Sequence, residues 1–169
     1  MATLNKEYRY NHPVQDIYTV ASTEDCFRAK MKEQHAVDIK VESRNGSDVV
    51  YTYLVERELP SFIPKMLRKQ LEKLSHMSVR QQEKWTKESD SKFVYHMVTE
   101  LDQMKIRVEN TSTFVADGDE CVNHIAMTFS CGLPIIGKKL AEYVSEENVG
   151  IMDNEYRMLK EYFAEKLSA

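Results

Sequence analysis

Between residues 76 and 131 apolar side chains fall on alternate positions, and between residues 134 and 167 they fall three and four positions apart. The first spacing belongs to half-buried strands and the second to an amphipathic helix. Four strands are expected in the alternating stretch, at about residues 76–87, 92–101, 106–117 and 121–131. Ser89-Asp90-Ser91 separates the first pair and Asp117-Gly118-Asp119 the last, where short polar side chains and glycine close tight turns. Consecutive hairpins make an antiparallel meander.

The alternation also assigns faces. Phe93, Tyr95, Met97 and Leu101, then Ile106, Val108 and Phe114, then Ile125, Met127 and Phe129 share one side, with Arg107, Glu109 and His124 on the other. An apolar sheet face must be covered, and only the segment at about 134–167 is long enough to cover it. Ile136, Leu140, Val144, Met152, Tyr156, Leu159 and Phe163 form its apolar stripe. At 1.5 Å per residue it makes a helix of roughly 50 Å, which crosses a seven-stranded sheet diagonally. Gly150 is expected to bend or interrupt it.

Upstream, Tyr8, Tyr10 and His12 alternate with Glu7, Arg9 and Asn11, a first strand over residues 6–12 that Pro13 ends. Val14, Ile17, Tyr18 and Ala21 then recur at helical spacing, and Ser22 or Thr23 caps a second short helix containing Cys26, Phe27 and Met31. Val37, Ile39 and Val41 alternate with Asp38, Lys40 and Glu42 before Asn45-Gly46, a hairpin signal that leads into the apolar stretch 49–59.

This order of one strand, two short helices, six strands and a long terminal helix resembles the helix-grip architecture of the START-like (SRPBCC) superfamily. That superfamily includes polyketide cyclases, plant pathogenesis-related proteins and lipid-transfer domains. Within it, Cys131-Gly-Leu-Pro-Ile-Ile-Gly-Lys-Lys-Leu-Ala-Glu142 is similar to the strand–helix junction of DUF2505, a bacterial family of unknown function. There a similar proline, apolar pair and glycine precede an acidic residue one turn later. Pro134 suits a first helical turn, and Gly137 lets the helix approach the sheet closely. The resemblance implies one α+β domain over residues 1–169, with a curved seven-stranded antiparallel sheet wrapped around the C-terminal helix. It also implies a cavity between the two that holds a lipid, sterol, isoprenoid or similar apolar molecule.

The residues expected to contact such a ligand are Trp85, Phe93, Tyr95, Met97, Val108, Phe114, Met127 and Phe129 from the sheet and Ile136, Leu140 and Val144 from the helix. Alternation establishes burial and not a void, so the same residues equally suit a filled core. Asn110 and Ser112 face inward with them, as do Gln81 and Glu83 beside Met77, Val79 and Trp85. An unpaired buried polar group costs about 1–3 kcal/mol, so these need partners from the protein, water or a ligand's polar end. A competing reading, an enzyme of cyclase or hydrolase type, needs an acid/base pair in the cavity, and the inward candidates are Glu83, His12 and Tyr95. No catalytic residue is assigned from the sequence.

The stretch 60–71 is amphipathic, with Phe62, Ile63, Met66 and Leu67 apolar and Lys65, Arg68 and Lys69 basic, and Lys73 just beyond. It suits a lid that touches an anionic membrane surface while ligand passes. It also suits a connector packed on the sheet edge, and a third reading makes it, or the outer sheet face, a protein-interaction surface.

Composition closes off other classes. With 42% hydrophobic and 30% charged residues the chain is of globular type. A net charge of -4 argues against a nucleic-acid binder. The five histidines and three cysteines show no metal-ligand spacing, and the five glycines form no phosphate loop or dinucleotide fingerprint, so no metal and no cofactor are expected. Residues 1–10 lack a secretory pattern, and Cys26, Cys121 and Cys131 read as free thiols, so the chain is expected in the cytoplasm.

Overall fold

The alternation of Ala2–Tyr10 makes the first strand, β1, whose even-numbered side chains turn inward as far as buried Tyr10. In the computed structural model, which describes residues 1–56, 58–74 and 76–168, β1 therefore starts and ends earlier than the aromatic alternation suggested. Pro13 then fixes the backbone for helix α1 (Val14–Ala21), which buries Val14, Ile17 and Ala21. Thr23 caps α2 (Glu24–Glu33), its hydroxyl accepting the Cys26 N–H at 3.2 Å. Acidic residues in the first turn of α2 and lysines in the last complement the helix dipole.

The remaining strands run β2 (Val37–Asn45), β3 (Asp48–Val55), β4 (Met77–Ser89), β5 (Lys92–Leu101), β6 (Ile106–Asp117) and β7 (Glu120–Cys131). A short helix α3 (Lys65–Glu72) lies between β3 and β4, and α4 (Gly137–Leu167) follows β7. The strands form one antiparallel sheet of order β1-β7-β6-β5-β4-β3-β2. The turns are those expected: Asn45 pairs with Asp48, Ser89 with Lys92 and Asp117 with Glu120, and Gly46 and Gly118 take left-handed backbone.

The assigned face is the buried one. Phe93, Tyr95, Val108, Phe114, Met127 and Phe129 all lie within the core, while Arg107 and His124 are exposed. β2 departs from the alternation rule: Val37 and Val41 are exposed even though they alternate with charges. It is an edge strand with two register shifts and a left-handed Asp38, which break the alternation, and of its apolar side Ile39 packs against the core.

The long helix begins at Gly137, three residues after Pro134. Ile135 adopts a left-handed backbone (φ 71°) and the Ile136 N–H bonds the Pro134 carbonyl, so a turn precedes the helix. Gly150 does not interrupt the helix, which runs unbroken for 31 residues, about 46 Å. Gly137 does have the expected role: a Cβ there would stand 2.6 Å from the Cys131 carbonyl oxygen.

Candidate functional site

Two groups of buried residues flank the interior. One gathers β3, β6, β7 and the first half of α4 around Phe129 and Leu140; the other gathers α1, Trp85, Phe93, Phe114 and Phe163. Between them lies a cavity of about 150 Å³, walled by the concave sheet face, α2 and α4. A void that size holds a small aromatic molecule when lined by apolar groups.

Of the ligand residues expected from the sequence, Trp85, Tyr95, Met97, Val108, Asn110, Ser112, Phe114, Met127 and Val144 line the cavity. Phe93, Phe129 and Leu140 are instead fully buried in the packed core, and Ile136 packs against the edge of that core. In the 60–71 segment Ile63 is buried, Phe62 stacks edge-on against Tyr143, Leu67 is partly covered and Met66 is exposed. Lys139 lies over the Phe62 ring at 4.6 Å.

The polar lining is organised by the sheet pleat. Gln81, Glu83 and Trp85 are alternate residues of β4, and Tyr53 and Tyr95 flank them on β3 and β5. Tyr53 donates to Gln81 Oε1 at 2.6 Å, Gln81 Nε2 donates to Glu83 Oε1 at 3.0 Å, and the Tyr95 hydroxyl donates to the same carboxylate. Burial, and then the Glu83 charge, push the Tyr95 phenol well above its usual range, so it remains a donor. Asn110 and Ser112 hydrogen-bond each other. Asn123, also on the cavity wall, leaves Oδ1 without a hydrogen-bond partner among the described residues. Of the three acid/base candidates, Glu83 and Tyr95 meet, whereas His12 is half-buried and lies outside the lining.

Opposite Tyr95 stand two charged groups that the apolar patterns passed over. Lys30 of α2 is buried, 5.1 Å from the Tyr95 ring centre, and its ammonium lies 3.9 Å from the Glu155 carboxylate of α4. Burial pulls the Lys30 pKa down, but Glu155 and Glu83 outweigh it and hold the lysine protonated. Burial raises the Glu155 carboxyl above the usual range, with Lys30 opposing and Glu83 adding to the rise. A sequence signal existed for both. Lys30 lies four residues after Cys26 and three after Phe27, and Glu155 lies three after Met152 and four before Leu159, so each sits on its helix's apolar face.

Residues 6–163 match the model of a protein family described as a protein of unknown function (DUF2505). The chain belongs to that family. None of the curated protein sequences matches this DUF2505 chain. Among solved structures it is similar to a protein from Thermus thermophilus, TTHA0849, at 14% identity and a TM-score of 0.67, over 98% of this chain and 99% of that one. It is also similar to the Zhui aromatase/cyclase from Streptomyces sp. R1128, at 6% identity and a TM-score of 0.59, over 98% of this chain and 92% of that one. A third is a STAR-related lipid transfer protein fragment from Xanthomonas axonopodis, at 14% identity and a TM-score of 0.59, over 95% of this chain and 85% of that one. At these identities the likeness shows the fold: this DUF2505 chain has the START-like helix grip. No helix among its described residues is long and apolar enough to cross a membrane.

Proposed function

We propose that this chain binds an apolar small molecule, a lipid, sterol, isoprenoid or similar metabolite, between the sheet and α4. The observation that supports this most is the internal cavity of about 150 Å³, since a fold built only for stability packs its interior closely. Its walls suit the task. Trp85, Phe114, Met127 and Val144 supply apolar area, and the thioethers of Met97 and Met127 adapt to ligand shape. Desolvation of the ligand supplies affinity, and the polar groups of the wall set its orientation.

The fold is shared by proteins named as an aromatase/cyclase and as a lipid transfer protein, and both names are compatible with an apolar substrate or cargo. Carriage is the reading favoured over turnover, because the acid/base pair that does meet is engaged with itself: the Tyr95 hydroxyl and the Gln81 amide both donate to Glu83 Oε1. Any contact with a membrane surface is assigned to exposed Met66 with neighbouring Lys65 and Lys69, since Ile63 and Phe62 pack inward.

Native mass spectrometry of freshly purified protein, followed by organic extraction, tests the reading. A bound apolar molecule released on extraction is the expected result. Protein that is empty as purified and takes up no apolar probe overturns it.

A further inference from the structure

Building on the apolar-binding reading, we infer that the ligand carries a neutral hydroxyl, as an alcohol or phenol does, seated between Lys30 and Glu155, and that the site discriminates against carboxylates. Lys30 Nζ and Glu155 Oε1 face each other at 3.9 Å across the cavity wall, too far for a direct hydrogen bond. Neither makes a hydrogen bond among the described residues, although both line the cavity. The nearby polar groups behave differently. Tyr53, Gln81, Glu83 and Tyr95 satisfy one another, and so do Asn110 and Ser112. Asn123 Oδ1 is a further open acceptor on the wall, but the open donor and acceptor that stand side by side are the Lys30 ammonium and the Glu155 carboxylate.

An oxygen about 2.8 Å from each fits across that gap, accepting from Lys30 and donating to Glu155. A hydroxyl does both through one atom. A ligand carboxylate accepts from Lys30 but has no proton for Glu155, and it adds a third negative charge to a region that already holds two. Glu83 and Glu155 both act on the Lys30 ammonium, so two acids surround one base before any ligand enters. Like charges in a partly desolvated site repel strongly.

The aromatic walls favour a ring next to that hydroxyl. Trp85 and Tyr95 lie with centroids 4.4 Å apart, Lys30 covers the Tyr95 ring, and Phe114 stands 6.1 Å from Trp85. A water molecule satisfies the same two groups, so the deciding comparison is among probes of one shape that differ only at the polar end.

Isothermal titration at pH 7 with toluene, p-cresol and p-toluate provides it. The expected order is p-cresol tightest, by roughly tenfold over toluene, as one charge-assisted hydrogen-bond pair allows, with p-toluate weakest. Lys30→Met brings the ratio of p-cresol to toluene affinity down toward one. Glu155→Gln, which retains shape, tests the charge argument should the lysine variant not fold: p-toluate then gains on toluene. Toluene binding as tightly as p-cresol, or p-toluate binding tightest to the unaltered protein, overturns the hydroxyl assignment and leaves apolar binding standing. Uptake of none of the three overturns both.

Discussion

Asn123 is where stability and binding separate most clearly at the scale of single residues. It is 5% exposed on β7, the strand between β1 and β6, lines the cavity, and keeps Oδ1 unpaired among the described residues. A buried polar atom in that state costs about 1–3 kcal/mol, and leucine has the same branching without the polar atoms, its extra bulk facing the cavity. Asn123→Leu is therefore expected to raise the stability of the ligand-free protein by about 1 kcal/mol or more in urea unfolding. It is also expected to weaken uptake of a hydroxylated probe, since polarity retained against stability marks a functional position. A variant less stable than the parent would mean that the amide is satisfied by ordered water. The cysteines illustrate burial acting on reactivity instead. Burial raises Cys26 to about 11 despite Lys30, and Cys121 to about 12. At pH 8 the thiolate fraction of each is then on the order of a thousandth or less, and neither is open to reagent. Thiol titration with a disulfide reagent should find Cys26 and Cys121 silent in the folded protein and all three thiols reactive in denaturant.

At the scale of elements, the two glycines of α4 have opposite roles. A Cβ on Gly137 meets the Cys131 backbone oxygen at 2.6 Å, where nothing flexible can yield, whereas a Cβ on Gly150 meets nothing within 4 Å. Gly137→Ala should lower the thermal midpoint by forcing the helix start off β7. Gly150→Ala should raise stability by about 0.5–1 kcal/mol through backbone entropy alone. Equal effects in thermal unfolding would refute the close-approach account of the junction. Elements of this kind were legible before the structure, because each carries a local signature. Turn residues placed the hairpins at Asp90 and Gly118, period two placed the inward faces of β5 to β7, and the Ser22-Thr23 pair, of which Thr23 is the cap, placed the start of α2. What failed to show was anything decided across elements. The exposure of β2 follows from its place at the sheet edge, and the late start of α4 follows from the left-handed Ile135 turn. Neither is encoded in a short window of sequence. The same holds for the site. Nine of the expected ligand residues do line the cavity, but sequence offers no way to separate them from Phe93, Phe129 and Leu140, which have the same parity and fill space instead. Lys30 and Glu155 meet only because α2 and α4 pack together over the sheet.

For the whole molecule, the cavity couples occupancy to stability. Its walls come from α2, α4 and every strand from β3 to β7 together with β1, so filling it adds contacts across all the layers at once. An empty void of about 150 Å³ removes dispersion contacts from each wall and leaves the buried Lys30 imperfectly paired with the partly exposed Glu155. A ligand that binds only the folded state stabilises it by mass action, by about 2.7 kcal/mol at a hundred times its dissociation constant. For a chain of this length each kcal/mol moves the unfolding midpoint by roughly 2–4 °C, so saturation should shift it by about 5–10 °C. The comparison that checks this uses protein unfolded in denaturant, stripped of apolar material and refolded, set against the same protein after titration with p-cresol or with its own organic extract. A rise that depends on ligand concentration, and that in Lys30→Met falls for p-cresol to the level toluene gives, ties stabilisation to the charged pair as well as to the void. A midpoint indifferent to every apolar addition would instead mean that the cavity is closed by side-chain repacking in solution, with α4 settling onto β6 and β7 as an ordinary core.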